Sequence, residues 1–223
     1  MASLNVVEIF HSIEGEGIRT GMPVTFIRLA GCNLRCSYCD TCYAQKATDG
    51  QLMSIEDIVN KVKFSSVTIT GGEPLLHEKP VIELINKLNS TGHYVNIETN
   101  GSIDIMPYII PVRSGRGFFT VDYKCEYSGM EFQMLDGNFD AMDENDVLKF
   151  VVATDEDLNC IRRFLMNHPN FKSTIFVSPC FGEISLKHLV EEVKLLKLKF
   201  PRFDIRFQVQ LHKIVWSPEE RGV

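Results

Sequence analysis

The sequence predicts an α/β protein built on a partial, open TIM-type parallel barrel with fewer helices than strands. Three observations predict it. Short apolar or β-branched runs alternate with helical patterns from residue 54 onward. Between residues 101 and 147 no long helical pattern survives, because Pro107, Pro111, Gly115 and Gly117 break it, so a complete eight-unit barrel is not expected. About six or seven strands and about four clear helices remain. No internal repeat or low-complexity linker divides the chain, and residues 1–223 read as a single domain.

Residues 5–11 are short and mostly apolar and read as a strand. The Ser12-Ile13-Glu14-Gly15-Glu16-Gly17 segment after it interleaves glycines with carboxylates, the composition of a polar loop with unusual backbone angles. Residues 24–29 (VTFIRL) form an apolar strand that Arg28 interrupts. An arginine there is costly unless paired, so it faces an anion in a central cavity or pairs with Glu14 or Glu16. Ser54 opens a helix as N-cap, with Asp57 three residues on and Ile58, Val59 and Val62 apolar. Residues 66–70 (SVTIT) read as a buried strand, and residues 79–89 as a helix stopped by Gly92. Strands follow at 94–98, 118–121 and 147–152, the last after the acidic turn 143–146. Helix 155–167 carries Leu158, Ile161, Phe164 and Leu165 on one face. Strand 174–177, helix 185–199 (apolar at Leu186, Leu189, Val190, Val193, Leu196 and Leu198) and strand 205–209 complete the order.

At 44% apolar, 223 residues can bury a sizeable core. With a net charge of −6 and dispersed basic residues, nothing in the sequence suggests a nucleic-acid surface. No run approaches a membrane span, and the first residues lack the basic and apolar regions of a signal peptide. The seven cysteines are an odd number with four clustered, which points to metal chemistry in a reducing cytoplasm rather than to a disulfide framework.

Cys32, Cys36 and Cys39 stand at C-x3-C-x2-C. Thiolates this close in sequence can converge on one metal centre. Three ligands on a 4Fe–4S cubane leave one iron open to an amine and a carboxylate, which is what S-adenosylmethionine offers. Cys42, a further x2 on, allows a second reading in which four thiolates close a zinc site. Two features favour the cluster. Tyr38 lies between the second and third cysteines, where an aromatic can pack on an adenine, and Gly71-Gly72-Glu73-Pro74 ends the strand 66–70.

Parallel α/β folds bind ligands at the C-terminal ends of their strands. Here those ends carry the cysteine loop, Thr70-Gly71-Gly72-Glu73, Glu98-Thr99-Asn100, Asp122-Tyr123-Lys124, Ser178-Pro179 and Gln210-Leu211-His212. Gly71 and Gly72 bring bare backbone close to a ligand ammonium, or simply make a tight turn. Glu98 and Asn100 suit a ribose or an amino-acid head group, or a strand-end turn. Lys124 is either solvated or in contact with a carboxylate. Asp40-Thr41 sets a hydroxyl beside a carboxylate, able to orient a hard cation such as Mg²⁺, and is also a common turn. His212 donates a proton or a hydrogen bond to a substrate, or is structural.

C-x3-C-x2-C with an aromatic before the last cysteine, then GGEP, resembles the radical S-adenosylmethionine superfamily. SIEGEG, TFIRL, GCNLRC, DYK, LKFVVAT and the late QLHKIVWSPEERGV narrow the resemblance, nearly end to end, to the 7-carboxy-7-deazaguanine synthase family. The resemblance implies the open barrel of the radical S-adenosylmethionine kind. It implies a 4Fe–4S cluster on Cys32, Cys36 and Cys39, S-adenosylmethionine as a catalytic cofactor, and Mg²⁺ at Thr41. The implied reaction is the radical ring contraction of 6-carboxy-5,6,7,8-tetrahydropterin to 7-carboxy-7-deazaguanine with loss of ammonia, a step toward queuosine. Tyr38, Cys39, Asp40, Gly72, Glu98, Lys124, Ser178, Pro179, Cys180 and Phe181 would face S-adenosylmethionine. Ile13, Glu14, Gly15, Glu16, Arg28, Thr70, His212 and the terminal carboxylate of Val223 would face the pterin. A flavodoxin- or ferredoxin-type electron donor, a homodimer and a cytoplasmic location complete the expectation, with neither nucleic acid nor membrane as partner.

Two residues depart from the pattern. Glu14 stands where many members carry Gln, and an ionised carboxylate only accepts where an amide also donates. Cys42 is extra, and is expected not to be a ligand. Two other readings stand beside this one. A glycyl-radical-enzyme activase shares the short barrel and the three cysteines but needs a broad groove for a peptide. A zinc-binding module would use Cys42 as its fourth ligand.

Overall fold

A computed structural model describes residues 2–218 and 220–223; Met1 and Glu219, the latter within the tail motif, lie outside the described residues. The strands are β1 (Ser3–Ile13), β2 (Pro23–Leu29), β3 (Gln51–Ser54), β4 (Ser66–Gly71), β5 (Tyr94–Thr99), β6 (Phe118–Tyr123), β7 (Val147–Val152), β8 (Thr174–Pro179) and β9 (Ile205–Phe207). The helices are α1 (Ile55–Val59), α2 (Glu78–Ser90), α3 (Met106–Ser114), α4 (Asp136–Ala141), α5 (Asp155–Asn167), α6 (Leu186–Lys199) and α7 (His212–Val215). One sheet joins these strands in the order β3-β1-β2-β4-β5-β6-β7-β8-β9, and among the described residues its two edges do not pair. From β2 to β9 each pairing is parallel, whereas β1 runs antiparallel to both β2 and β3. The open, mostly parallel sheet with fewer helices than strands is therefore the expected one, with an antiparallel edge added.

Burial explains the elements. β4 is buried along its first five residues, as a strand covered on both faces must be. α2 buries Val81, Leu84, Ile85 and Leu88, the i, i+3, i+4, i+7 stripe of a helix laid on a sheet. α5 opens on a capping box between Thr154 and Asp157 and buries Leu158, Ile161, Phe164 and Leu165. Ser54 caps α1, its side chain accepting from the Asp57 N–H at 3.1 Å. α6 buries only Leu189, Val193 and Leu196; Leu186 and Leu198 face solvent.

The structure corrects the sequence reading in three places. α3 forms despite two prolines. Pro107 falls in the first turn, where its missing N–H is an orphan anyway, and Pro111 costs the one bond that would have reached back to residue 107. Tyr108 holds α3 down, fully buried with its hydroxyl donating to the Leu75 carbonyl at 2.8 Å. β1 continues through Ser12 and Ile13, so the polar loop begins only at Glu14. β9 ends at Phe207; Gln208 still donates its N–H to the Val177 carbonyl at 3.1 Å, and its side chain binds the 14–20 loop. Its Oε1 accepts from the Gly17 N–H at 2.7 Å and its Nε2 donates to Thr20 Oγ1 at 2.6 Å. With Leu211 N–H on the Gly15 carbonyl at 3.1 Å, this loop bridges the two sides of the open barrel above the strand ends.

Candidate active site

The cysteine loop leaves β2 through Gly31, whose φ of 100° lies in the left-handed region that favours glycine. Backbone bonds hold the loop at both ends: Gly31 N–H to Ala44 O at 2.8 Å, Cys32 N–H to Gln45 O at 2.9 Å, and Glu73 N–H to Gly31 O at 2.7 Å. Buried Leu34 anchors its middle. Cys32, Cys36 and Cys39 are half-buried along one cleft. Burial pushes the Cys32 thiol up, and pushes Cys36 up to about 11. Two N–H groups are nonetheless aimed at Cys32 Sγ, from Leu34 at 3.4 Å and Asn100 Nδ2 at 3.8 Å, as suits a thiolate. Cys42 is exposed and donates its S–H to the Cys39 carbonyl at 3.0 Å. Among the described residues no three His, Cys, Asp or Glu side chains converge as a single-ion site requires. A cubane asks less of its ligands, because each thiolate binds a different iron. The donor set, three half-buried thiols on one cleft with two N–H groups aimed at Cys32 Sγ, is the chemistry a cluster binds.

Gly71 and Gly72 are glycines for a packing reason. A Cβ on Gly71 would strike the Leu29 backbone, and one on Gly72 would strike the carbonyls of Gly31 and Ala44. Glu73 follows, fully buried, and gathers the next strand end. Its Oε1 accepts from Leu75 N–H at 3.0 Å and Thr99 Oγ1 at 2.8 Å, and its Oε2 from Asn100 N–H at 2.7 Å. Burial still raises its pKa to about 7.

Within the same loop, between Cys36 and Cys39, Tyr38 packs against Val151, Ala153 and Cys180, a small apolar cluster separate from the main core. Tyr127 stacks on Tyr38 at 6.3 Å between centroids, and Lys124 Nζ stands 5.7 Å from the Tyr38 ring centre. The hydroxyls of Tyr38 and Ser178 are buried without a partner among the described residues. The apolar wall of Tyr38, Val151 and Cys180 on the cleft fits the face of a flat base such as adenine. Burial works against ionised Asp40, but Lys213, at 2.9 Å, and the Thr41 hydroxyl, at 3.0 Å, outweigh it and hold its carboxyl below the usual range.

The cleft floor holds a residue the sequence reading passed over. Lys149 in β7 sets its Nζ 3.1 Å from Glu16 Oε2 and 3.4 Å from Asp122 Oδ2, which also receives Lys124 Nζ at 2.9 Å. Burial opposes charge on both lysines, and Asp122 outweighs it, so both stay protonated. The signal was available: a lone cation in an apolar strand (VLKFVV), the same pattern that singled out Arg28.

On the far wall, Arg28 pairs with neither Glu14 nor Glu16. Its Nε donates to Glu8 Oε1 at 2.7 Å. Residues 8 and 28 are partners in the β1–β2 ladder, so a cross-strand neighbour took the pair that sequence distance had assigned to the loop. Glu14 instead accepts from Arg19 at 3.2 Å and from Thr68 Oγ1 at 2.7 Å. Burial first, and Glu98 next, raise its pKa to about 7. Gly15 lies under His212, where a Cβ would run into the imidazole. Gly15→Ala is therefore expected to displace His212. It should raise the KM for the substrate about tenfold, the equivalent of about 1.4 kcal/mol, while leaving iron content unchanged. The tail folds back so that Val223 lines the same cleft.

All these features share one cleft of about 700 Å³. Of the residues expected at the site, Ser178 and Pro179 do not line it; they are buried within β8, and only Cys180 and Phe181 of that turn reach the wall. Sequence reasoning also missed Glu8 and Lys213, whose roles depend on partners far away in the chain.

Residues 26–109 match the family described as the Radical SAM superfamily. With the open parallel sheet and the cysteine loop at its strand ends, the chain has the fold and rim of a radical S-adenosylmethionine protein. The chain is similar to the 7-carboxy-7-deazaguanine synthase of Clostridium acetobutylicum, at 42% identity over 98% of each chain. It is likewise similar to that of Methanospirillum hungatei, at 38% identity over 97% of this chain and 87% of the other. By structure it is similar to QueE from Escherichia coli, with a TM-score of 0.70 and 24% identity, covering 94% of this chain and 95% of that one. The chain belongs to the 7-carboxy-7-deazaguanine synthase family.

Proposed function

We propose that this chain converts 6-carboxy-5,6,7,8-tetrahydropterin to 7-carboxy-7-deazaguanine and ammonia, in a single radical S-adenosylmethionine domain spanning residues 1–223. The observation that carries this reading is the sharing of one cleft. The three rim thiols and the Tyr38 wall stand on one side, and Arg28, His212 and the folded-back tail on the other. Cys32, Cys36 and Cys39 would hold the 4Fe–4S cluster. Bound there, S-adenosylmethionine would supply the radical chemistry that removes a hydrogen from the substrate and restores it.

The protein's own work is binding and orientation. Tyr38 and the Cys180-Phe181 turn offer the apolar wall for adenine, and Asp40, Gly72, Glu98 and Lys124 the polar contacts for the rest of S-adenosylmethionine. Arg28 commits Nε to Glu8, which leaves its terminal nitrogens for the pterin carboxylate. Ile13, Gly15, Glu16, Thr70 and His212 surround the ring. Glu14, tied to Arg19 and Thr68, shapes that wall more than it reads the substrate. Thr41 would hold Mg²⁺ by its hydroxyl, which donates to Asp40 Oδ1 at 3.0 Å in the ligand-free protein. A flavodoxin- or ferredoxin-type donor would supply the electron, and the working unit would be a homodimer in the cytoplasm. Among the described residues no helix is long and apolar enough to cross a membrane.

The activase reading is not favoured, because the near full-length relatives are 7-carboxy-7-deazaguanine synthases. The test is anaerobic reconstitution with iron and sulfide, then incubation with S-adenosylmethionine, a reductant, Mg²⁺ and the carboxytetrahydropterin. Equal molar yields of 7-carboxy-7-deazaguanine and ammonia are expected; 5′-deoxyadenosine alone would show the right radical source and the wrong substrate. Lys149→Met should leave Asp122 and Glu16 without their shared cation. It should destabilise the fold by about 3 kcal/mol in chemical denaturation.

A further inference from the structure

Beyond the residues that would touch the ligands, one contact chain crosses the cleft mouth. Glu8 Oε1 accepts two hydrogen bonds, from Arg28 Nε at 2.7 Å and from the Tyr43 hydroxyl at 2.9 Å. The Tyr43 ring carries the Arg221 guanidinium on its face, with 3.9 Å from the guanidinium carbon to the ring centre. Arg28 is flanked by the same ring at 5.9 Å and by Phe10 at 5.6 Å, and Phe10 is stacked on Phe26. Tyr43 sits in the 3-10 turn Cys42–Ala44 directly after the cysteine loop. Three segments far apart in sequence thus meet on one side chain: the β1–β2 ladder, the cysteine loop and the tail.

We infer that Tyr43 is a positioning residue that couples closure of the tail to the placement of Arg28. The two ends of its side chain act separately. The ring holds the tail through Arg221, a guanidinium over an aromatic face. The hydroxyl fixes Glu8, and Glu8 fixes the Nε edge of Arg28 so that its other nitrogens face the cleft. A substrate anion on Arg28 and a closed tail then favour one another, because both depend on the same tyrosine. The Arg28 half rests on the function proposed above; the tail half does not.

The experiment separates the halves. Trypsin cuts after Arg221 only when that guanidinium leaves the ring and enters the protease pocket. In the intact, cluster-loaded protein, Tyr43→Leu should accelerate cleavage at Arg221 about fivefold, and Tyr43→Phe should leave it at the wild-type rate. Tyr43→Phe should still raise the substrate KM about fivefold with iron content unchanged, since it frees Glu8 from one of the two donors that fix it. Equal cleavage in wild type and Tyr43→Leu would overturn the tail contact. An unchanged KM in Tyr43→Phe would overturn the link to Arg28. If the wild type makes no deazaguanine yet Tyr43→Leu still exposes Arg221, the substrate assignment fails and the tail contact stands.

Discussion

Cys36→Ala is expected to abolish iron binding after anaerobic reconstitution and, with it, all cleavage of S-adenosylmethionine, while Cys42→Ala keeps both within about twofold of wild type. The difference comes from where the two thiols stand. Cys36 is half-buried on the cleft wall, and burial has pushed its thiol up to about 11, so the ligand-free protein keeps it protonated. Binding of the cluster must remove that proton, and the affinity of the metal centre supplies the energy. Cys42 is exposed and spends its S–H on a backbone carbonyl at 3.0 Å. Iron content and the visible spectrum read the result, and a Cys42→Ala protein as colourless as Cys36→Ala would assign Cys42 to the cluster.

Glu73→Ala should cost about 4 kcal/mol of stability, the largest effect expected from any single truncation outside the main core. The change strands three buried donors at once: Leu75 N–H, Asn100 N–H and the Thr99 hydroxyl. Glu73→Gln should recover about half, because the amide still accepts on one side but turns an N–H₂ toward a donor on the other. The same residue makes stability depend on pH. Folding raises its pKa from 4.5 to about 7, so the folded state holds the proton more tightly than the unfolded chain. That contribution is fully present below pH 4.5 and is lost as the pH rises through 7, a change of about 3 kcal/mol. Glu14, raised to about 7 by burial, acts in the same direction over the same window. Denaturation of the ligand-free protein at pH 5 and pH 8 tests this. A fall in stability with rising pH is expected to shrink in Glu73→Gln, and an undiminished fall would clear Glu73 as its source.

What could be read from the chain was whatever depends on neighbours in sequence. β7 and α5 carry the bounds their patterns gave, since alternation, capping and helical stripes are local properties. The strand-end rule placed nearly the whole cleft, because a parallel sheet collects its loops on one rim. What stayed hidden depends on pairing. Glu8 became the partner of Arg28 only through the β1–β2 register, and Asp40 met Lys213 only when the tail folded back. Gly72 also has a packing reason that no sequence pattern shows, since the Gly31 and Ala44 carbonyls leave no room for a Cβ. α3 was masked by prolines whose cost depends on their place within the turn. Lys149 was visible and was passed over.

The most direct test of the central claim, a radical source and a small anionic substrate facing each other across one cleft, is the ratio of 7-carboxy-7-deazaguanine formed to S-adenosylmethionine consumed. Measured by mass spectrometry in the reconstituted protein, many product molecules per S-adenosylmethionine are predicted, because the hydrogen is returned within the closed cleft. One product or fewer per S-adenosylmethionine would contradict the account.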